Sequence, residues 1–376
     1  MNITAEKIPR ILVMAGGTGG HVFPALAVAN VLRARGWCVE WLGTENGIES
    51  RIVPAANLKL HCITAVGLRG KGLRKLLVAP IHLLRAQWQA LQIFMRFKPD
   101  VVLGMGGFAS APGGLAAFFL RVPLIIHEQN AIAGTTNRVL SKLAKRVLSA
   151  FPAVFSKAGA EVVGNPVRDE IVALTTASKS IRPINECLHL LVLGGSQGAT
   201  ALNYLLPEAL ALLPEAIRPV VFHQAGGASL AQTREQYRQA GVTARVEAFI
   251  EDMASMYQWA DLAVCRSGAM TVSELTCAQL PALLVPFPFA IDDHQTHNAL
   301  WLSNAGAARL LPQATLDANQ LAKILRELID NRQSLQAMVH AMQLLAKPDA
   351  ATCVADICES AASAARSKHI QEGGHA

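Results

Sequence analysis

One pattern occurs twice in this 376-residue chain, and it limits the possible folds more than any other feature. Each copy consists of a short apolar run, a glycine-rich turn and a helix-like stretch, at 10–36 ("RILVMAGGTGGHVFPALAVANVLRARG") and at 188–210 ("LHLLVLGGSQGATALNYLLPEAL"). A buried strand that enters a helix through such a turn is typical of the first unit of a Rossmann-like domain. The duplication therefore predicts two Rossmann-like domains in one chain.

The order of the other segments also favours an α/β fold. Apolar runs alternate with helix-like stretches from 10–14 to 160–163, and a second series extends from 188–193 to 282–285. Strands that alternate with helices form parallel sheets with both faces covered, so each series predicts one such sheet. Pro166 and the polar stretch after it interrupt the pattern between the two series. The predicted segments are an N-terminal domain at 1–165, a C-terminal domain at 166–345 and a final helical segment at 346–376.

The composition limits the kinds of protein that this chain can form and the kinds of partner that it can bind. Hydrophobic residues make up 52% and charged residues 16% of the chain, which is enough apolar material for substantial cores. The net charge of +7 favours an anionic partner: nucleic acid, a phosphorylated ligand or an anionic membrane. An aromatic content of 5% supplies few platforms for the stacked bases of single-stranded nucleic acid, but composition does not choose among these three partners. The 7 cysteines include no C-x-x-C pair and are interpreted as small core residues.

The uncharged segment at 101–120 ("VVLGMGGFASAPGGLAAFFL") is long enough to span a membrane. It also contains 5 glycines and a proline, and it follows "KPD" as a buried strand would. We therefore predict a strand, a loop and a buried helix here rather than a transmembrane helix.

Both glycine-rich turns could bind an anion through backbone N–H groups and the positive end of the following helix. Neither "GGTGGH" nor "GGSQGA" has the G-x-G-x-x-G register, which weakens a dinucleotide-binding interpretation and with it a dehydrogenase. The chain has no G-x-x-x-x-G-K-[ST] motif, so a nucleotide-hydrolysing P-loop is excluded. The alternative is that the glycines only allow tight turns between strand and helix.

Polar side chains follow three of the predicted strands, at the edge where parallel sheets bind ligands. These clusters lie at 127–130 ("HEQN"), 266–274 ("RSGAMTVSE") and 292–298 ("DDHQTHN"). The spacing Thr271-x-x-Glu274 is also that of a capping box, in which Glu274 would only cap its own helix. His294 and His297 are spaced as metal ligands can be, but no further ligand completes the set, so we predict no metal site.

The motifs together are similar to those of one enzyme family. In chain order they are "GGTGGHVFPALA", "GLRGKG", "DVVLGMGGFASAPGGLAA", "HEQNAIAGTTNR", "VVGNPVR", "LGGSQGA", "FIEDMASMYQWADLAVCRSGAMTVSE" and "DDHQTHNA". On these motifs, from about residue 10 to 310, the chain resembles the MurG family of peptidoglycan N-acetylglucosaminyltransferases. One residue departs from the family pattern: "GGFAS" places Phe108 where a tyrosine is often found, so no hydroxyl function is expected there.

The resemblance implies a fold and a reaction. It implies a glycosyltransferase of the GT-B type, in which two Rossmann-like domains face a cleft and the last helix returns to the N-terminal domain. The implied reaction is an inverting, metal-independent transfer of N-acetylglucosamine from UDP-N-acetylglucosamine, without a cofactor. The implied acceptor is the C4 hydroxyl of undecaprenyl-diphospho-N-acetylmuramoyl-pentapeptide (lipid I), and the product is lipid II.

The resemblance also implies a location and partners. A lipid-linked acceptor places such an enzyme on the cytoplasmic face of the inner (plasma) membrane as a peripheral protein, with anionic membrane lipids as partners. Other proteins of cell-wall synthesis and cell division are further implied partners, and the resemblance implies no nucleic acid as a partner. Two interpretations without a lipid acceptor stay open: a UDP-N-acetylglucosamine 2-epimerase of the same fold, and a non-catalytic protein that binds nucleotide sugars.

Individual residues receive roles from the resemblance. His21 is the expected general base, since the positive end of the helix dipole disfavours a charged ring, and Glu128 is the competing base. Glu274 is expected to accept the ribose hydroxyls, and the backbone at Ile250 to contact uracil. The other expected substrate-binding residues are Thr18, Gly19 and Gly20 in the cleft, Asn130 and Gln295 at the sugar, Arg168 and Ser196 at the diphosphate, and Ala269, Met270, Thr271, Val272 and Ser273 beside Glu274.

The segment at 67–94 combines basic and apolar residues. Pro80 is predicted to begin its main helix, because proline is tolerated at the first helical position. Apolar residues then fall along one side of that helix: Ile81, Leu84, Trp88 and Leu91. The basic residues near them are Arg69, Lys71, Arg74, Lys75 and Arg85. One interpretation is a core-facing stripe with a solvated edge. The other, favoured by a lipid acceptor, is shallow insertion among anionic headgroups.

Overall fold

The computed structural model describes residues 8–64, 73–155, 159–195 and 198–373, with the backbone alone at 73–79 and 368–373. The chain divides into two compact units, each with its own sheet. Unit 1 contains the chain up to Arg168 together with the part from Asp349 onward, and unit 2 contains Asp169–Pro348. The sequence predicts domain boundaries after residues 165 and 345, and the structure divides the chain after residues 168 and 348.

Unit 1 is built on a parallel sheet. Its described strands are β1 (Arg10–Ala15), β2 (Cys38–Gly43), β3 (Lys59–Cys62), β4 (Val101–Gly106), β5 (Leu124–Glu128), β6 (Arg146–Ser149) and β7 (Glu161–Val162). Its helices before unit 2 are α1 (Gly19–Ala34), α2 (Glu49–Ala55), α3 (Leu73–Phe97), α4 (Ser110–Phe119) and α5 (Thr135–Leu140). The strand order is β3-β2-β1-β4-β5-β6-β7, so the chain starts near the middle of the sheet and builds outward in both directions.

The side chains of β1 are buried on both faces of this sheet. Ile11 and Val13 belong to the core that includes α1, whereas Leu12 and Met14 belong to the core that includes α3 and α4. This alternation follows from the two-residue period of a strand. A continuous apolar run is stable in such a strand because helices cover both faces of the sheet.

Unit 2 repeats this architecture. Its described strands are β8 (His189–Leu193), β9 (Val220–Gln224), β10 (Ala244–Glu247), β11 (Leu262–Cys265), β12 (Ala282–Leu284) and β13 (Ala308–Leu310). Its α-helices are α6 (Asp169–Val172), α7 (Thr200–Ala211), α8 (Leu230–Gln239), α9 (Met253–Trp259), α10 (Ala269–Cys277), α11 (His294–Asn304), α12 (Ala318–Asp330) and α13 (Arg332–Leu345). The strand order β10-β9-β8-β11-β12-β13 is that of a Rossmann domain, which confirms the prediction of two Rossmann-like parallel sheets.

Some elements differ from the predicted ones. α3 begins at Leu73, so Pro80 lies inside the helix and the prediction that it begins there is wrong. Proline removes one backbone hydrogen bond, and the helix extends past it because the preceding "LRKLLVA" is rich in helix-forming residues. The pattern does not predict β3 and β13, since "KLHC" and "ARL" are short and only partly apolar. The uncharged segment at 101–120 forms β4 and α4, which confirms the predicted strand and helix.

The last helix of the chain belongs to unit 1 and is α14 (Ala350–Gly373). Val354 and Cys358 are fully buried in the same core as α1. Arg35, at the end of α1, donates a hydrogen bond to Glu359 (2.9 Å). The predicted return of the last helix to the N-terminal domain is therefore confirmed.

We expect Val354→Ala to lower the free energy of unfolding by about 2 kcal/mol, because two buried carbon groups are lost and a cavity is left. The matched change Ser360→Ala lies on the exposed side of α14 and is expected to change that free energy by less than about 0.5 kcal/mol. Urea denaturation followed by circular dichroism measures both variants. Equal effects of the two changes would contradict the burial of α14 against α1.

Candidate functional site

The first glycine-rich turn, between β1 and α1, encloses a buried carboxylate. Glu49 is fully buried, and its carboxylate accepts hydrogen bonds from Gly17 N (2.9 Å), Thr44 N (3.0 Å) and Thr44 Oγ1 (2.7 Å). A Cβ atom at Gly16 would lie within 2.4 Å of Glu49 Oε1, so the close approach of this side chain accounts for the glycine. The turn is shaped by an anion that the protein itself supplies.

His21 lies in the first turn of α1, where three strand ends meet. Its backbone N–H donates to the Thr18 carbonyl (3.1 Å), and its Nδ1 lies 2.9 Å from Gln129 Oε1, just beyond β5. Gly106, the last residue of β4, has a φ of 101°, and a Cβ there would lie 2.9 Å from the imidazole ring. Glycine at that position therefore leaves the space that the ring occupies.

The predicted cleft-lining residues lie directly beside this histidine. Thr18 is the exposed N-cap residue of α1, and Gly19 and Gly20 are its first two helical residues. All three belong to the same turn as His21, so the structure brings this part of the predicted site together.

Glu128, at the end of β5, organises the loop that follows it. Its side chain is buried, and one oxygen accepts from Asn130 N (3.0 Å) and Asn130 Nδ2 (3.3 Å). The other oxygen accepts from Gly134 N (3.0 Å) and Asn137 Nδ2 (2.9 Å). Because both oxygens are engaged by donors, this arrangement favours His21 over Glu128 as a proton acceptor. It also fixes the amide of Asn130.

In unit 2, the second glycine-rich turn lies close to backbone atoms of the neighbouring strand end and not to a side chain. A Cβ at Gly198 would lie 2.3 Å from the carbonyl oxygen of Ala225, beyond the end of β9. Ala199, at the N-cap of α7, has no side-chain group to accept from the first N–H groups of that helix. Such a helix start is suited to an anionic ligand. Ser196, the residue predicted to meet the diphosphate, lies outside the described residues.

Glu274 lies on α10, which follows the carboxyl end of β11. The helix begins at Ala269 with Gly268 as its N-cap, so Thr271 is already inside it. A capping box requires the threonine at the N-cap, and the capping interpretation of Thr271 and Glu274 is therefore wrong. Instead, Glu274 Oε2 accepts a hydrogen bond from the hydroxyl of the buried Tyr257 on α9 (2.9 Å).

Gln295 is connected to the loop that leads into α10. Its side-chain Oε1 accepts from Phe287 N (2.9 Å), and its carbonyl oxygen accepts from Ser267 Oγ (2.8 Å). Arg266 donates to the Val285 carbonyl (3.0 Å), and its guanidinium lies over the Phe287 ring. The predicted residues at the start of α10 and at the start of α11 therefore lie close together at the carboxyl ends of β11 and β12. Those at the start of α10 are Ala269, Met270, Thr271, Val272 and Ser273.

Other predicted residues lie apart from that group. Ile250 is buried in the loop between β10 and α9, on the same carboxyl edge of the unit 2 sheet. Arg168 is the last residue of unit 1 before the chain enters unit 2, so it belongs to a different unit from Ile250 and Gln295. In the part of the chain that the structure describes, no group of three or more His, Cys, Asp and Glu side chains could hold a metal ion.

The outer face of α3 is apolar and exposed. Ile81, Leu84 and Trp88 are 68%, 72% and 60% exposed, whereas Phe94 on the opposite face is buried in the core. The core-facing interpretation is therefore wrong for these three residues. Leu91 is the one member of the predicted stripe that packs partly against the core. The neighbouring α4 carries further exposed apolar side chains: Leu115, Phe118 and Phe119.

The basic residues predicted beside this face are described only in part. Arg85 is exposed on α3. Arg69 and Lys71 lie outside the described residues, as do the side chains of Arg74 and Lys75. Among the helices that the structure describes, none has both the length and the apolar character needed to cross a bilayer.

Comparison with known families assigns the class of protein. Residues 11–149 match the glycosyltransferase family 28 N-terminal domain, and residues 189–354 match the glycosyltransferase family 28 C-terminal domain. Together these matches cover more than half of the chain, and each falls mainly within one of the two units. The chain is therefore a member of glycosyltransferase family 28.

Two similar proteins and one similar crystal structure identify the particular family to which this chain belongs. The proteins named UDP-N-acetylglucosamine--N-acetylmuramyl-(pentapeptide) pyrophosphoryl-undecaprenol N-acetylglucosamine transferase in Alkalilimnicola ehrlichii and Azotobacter vinelandii are 55% and 56% identical to this chain. Each match covers 93% of this chain and 98% or 97% of the relative. The crystal structure of Acinetobacter baumannii MurG is 39% identical, with a TM-score of 0.80 over 94% of this chain and 99% of that one. The chain belongs to the MurG family.

A likeness to other enzymes is limited to the fold. A protein of Listeria monocytogenes assigned as a UDP-N-acetylglucosamine 2-epimerase matches with a TM-score of 0.63 at 16% identity, over 97% of each chain. At that identity the match shows a shared architecture and does not favour an epimerase.

Three residues of the site were missed by sequence reasoning. Glu49 lies in "GTENGIES", which has no recognisable motif, and only the fold brings it to the glycine-rich turn. Tyr257 lies on a different helix from Glu274, so no spacing connects the two. Gln129 lies inside the "HEQN" cluster, but the sequence does not indicate that it contacts His21.

Proposed function

We propose that this chain transfers N-acetylglucosamine from UDP-N-acetylglucosamine to the C4 hydroxyl of lipid I and forms lipid II. Full-length similarity to transferases named for this reaction is the observation that carries the proposal. In the reaction the acceptor oxygen bonds to the anomeric carbon while the bond from that carbon to the diphosphate breaks. UDP leaves with the electron pair of that bond, and a base takes the proton of the hydroxyl.

The direct test is incubation of the protein with radiolabelled UDP-N-acetylglucosamine and a lipid I analogue in the presence of EDTA. We expect label in the lipid product and undiminished transfer with the chelator, because no metal ligand is assigned to the site. Release of free sugar or of an epimer without a labelled lipid would contradict the proposal.

His21 is the residue we assign as the general base. Its ring lies in the first turn of α1 beside the ends of β4 and β5, and a neutral imidazole has one nitrogen lone pair that can take the proton of a hydroxyl. We assign Glu128 a structural role in the loop after β5, because its oxygens already accept four hydrogen bonds from that loop and from α5.

Replacing His21 tests this assignment. We expect His21→Ala to lower kcat by about 10²–10⁴-fold with the donor KM kept, since a base acts on the acceptor and not on donor binding. The matched change His340→Ala, at an exposed position on α13, is expected to leave kcat unchanged. Normal turnover of His21→Ala would show that another group takes the proton.

We assign the binding of UDP, the nucleotide part of the donor, to unit 2. The start of α7, where the N-cap residue Ala199 supplies no side-chain cap, is assigned to the diphosphate through its N–H groups. Glu274, whose carboxylate accepts from Tyr257, is assigned to the ribose hydroxyls. Gln295 and the first residues of α10 lie at the same edge of the sheet and are assigned to the rest of the donor. In unit 1, Asn130 is assigned to the sugar and Arg168 to the diphosphate, and Thr18, Gly19 and Gly20 beside His21 are assigned to substrate binding without a particular group.

Glu274→Gln is expected to reduce kcat/KM for the donor about 10- to 100-fold, which corresponds to about 1.5–3 kcal/mol for hydrogen bonds to a charged acceptor. The melting temperature should be nearly unchanged, because Glu274 does not cap α10. Steady-state kinetics and thermal denaturation measure the two effects, with the exposed Glu235→Gln as the matched control. A variant with normal kinetics and a lowered melting temperature would indicate a purely structural carboxylate.

The exposed face of α3 is assigned to membrane attachment. Ile81, Leu84 and Trp88 offer apolar surface for shallow insertion, and the net charge of +7 favours anionic headgroups. We therefore assign the protein to the cytoplasmic face of the inner membrane as a peripheral protein that binds anionic lipids through unit 1.

The triple variant with Ile81→Ser, Leu84→Ser and Trp88→Ser is expected to lose most of its binding to phosphatidylglycerol vesicles in a sedimentation assay. Activity on a short-chain, soluble acceptor should survive, because the substitutions are on an exposed helix face. The control replaces Ile184 and Leu344, which are exposed in unit 2, by serine and should bind as the unchanged protein does. Unchanged binding of the triple variant would exclude this face.

A further inference from the structure

The hydrogen bond between His21 and Gln129 determines which ring nitrogen of His21 can accept a proton. A neutral imidazole has one protonated nitrogen and one nitrogen with a free lone pair, and an amide oxygen only accepts hydrogen bonds. His21 Nδ1 lies 2.9 Å from Gln129 Oε1, so Nδ1 is the donor. The free lone pair is then on Nε2.

The orientation of the Gln129 amide is itself determined by two further contacts. Its Nε2 donates to the carbonyl oxygen of His127 (3.2 Å) and faces His127 Nδ1 (3.2 Å). If the amide were rotated by half a turn, its oxygen would face a carbonyl oxygen and a nitrogen lone pair. Both contacts would then be repulsive, so the amide has only one favourable orientation.

The ring of His127 is fixed in the same way. His127 Nε2 lies 2.8 Å from the Gly164 carbonyl, which only accepts, so the proton of this ring is on Nε2 and its Nδ1 is an acceptor. His127 is completely buried, and burial lowers its pKa to about 4, so the ring is neutral at pH 7. The hydrogen bonds therefore form one chain in which His21 donates to Gln129, Gln129 donates to His127 and His127 donates to the Gly164 carbonyl.

We propose that Gln129 is a positioning residue that, together with His127, holds His21 in the tautomer with the proton on Nδ1. In this tautomer Nε2 accepts the proton of the acceptor hydroxyl as the glycosidic bond forms. The inference rests on the proposed function, and it adds to it the residues that prepare the base for its role.

A neutral amide is suited to this task. A carboxylate in the place of Gln129 would also hold the proton on Nδ1, but its charge would favour the doubly protonated ring, which has no lone pair to accept a proton. The amide fixes the tautomer without adding a negative charge beside the ring. Because Gln129 is only 1% exposed, water does not compete for this hydrogen bond.

The kinetic test compares two buried glutamines. Gln129→Met keeps the length of the side chain and removes its hydrogen bonds, and we expect kcat to fall about 10- to 100-fold with the donor KM unchanged. Gln279→Met is the matched control, since Gln279 is 2% exposed and bonds to Gln343 (2.8 Å) and Thr175 (3.0 Å) within unit 2. The control should lose stability but keep its kcat.

The spectroscopic test reads the tautomer directly. ¹⁵N NMR of the histidine side chains in the full-length protein, with the His21→Gln variant to identify the resonances of His21, should show a proton on Nδ1. In Gln129→Met the proton should move to Nε2 in a large fraction of molecules. A proton on Nε2 in the unchanged protein, or the same tautomer in Gln129→Met, would overturn the inference. A protein that holds the proton on Nδ1 but transfers no sugar would support the inferred tautomer and overturn the proposed function.

Discussion

Parallel hydrogen bonding between the strands is the constraint on which the rest of the structure depends. Every described strand pair in both sheets is parallel, so within each unit all strands end at the same edge. The turn after each strand and the start of the next helix therefore lie at that edge. His21 follows β1 and Glu128 ends β5, so both lie at one edge of the unit 1 sheet, and Glu274 follows β11 at the corresponding edge of the unit 2 sheet.

Tight turns at such an edge leave backbone N–H groups without strand or helix partners, and a buried unsatisfied group costs about 1–3 kcal/mol. In unit 1, two buried carboxylates meet this requirement. Glu49 accepts from the backbone at Gly17 and Thr44, and Glu128 accepts from the backbone at Asn130 and Gly134. Both residues therefore stabilise the turns at this edge of the sheet.

Much of the fold is predictable from the sequence because its main features are periodic and local. The buried strands β1 and β8 are continuous apolar runs, and each glycine-rich turn follows directly, so both sheets and the position of His21 can be read from the pattern. The contacts of Glu49, Gln129 and Tyr257 cannot, since each joins residues that only the fold brings together. The predicted helix start at Pro80 is wrong for another reason. A long helix can continue through a proline because it loses only one backbone hydrogen bond there.

The two glycine-rich turns look alike in sequence but differ in electrostatics. In the first, the Gly17 N–H already donates to the Glu49 carboxylate, whereas the second leads into a helix whose N-cap, Ala199, has no capping group. An anion that approaches the first turn meets the positive end of α1 and the Glu49 carboxylate together, and the effects of the two on the anion oppose each other. A buried carboxylate in one of two similar turns therefore makes that turn the weaker anion site, so two copies of one motif in a chain do not have to bind the same ligand.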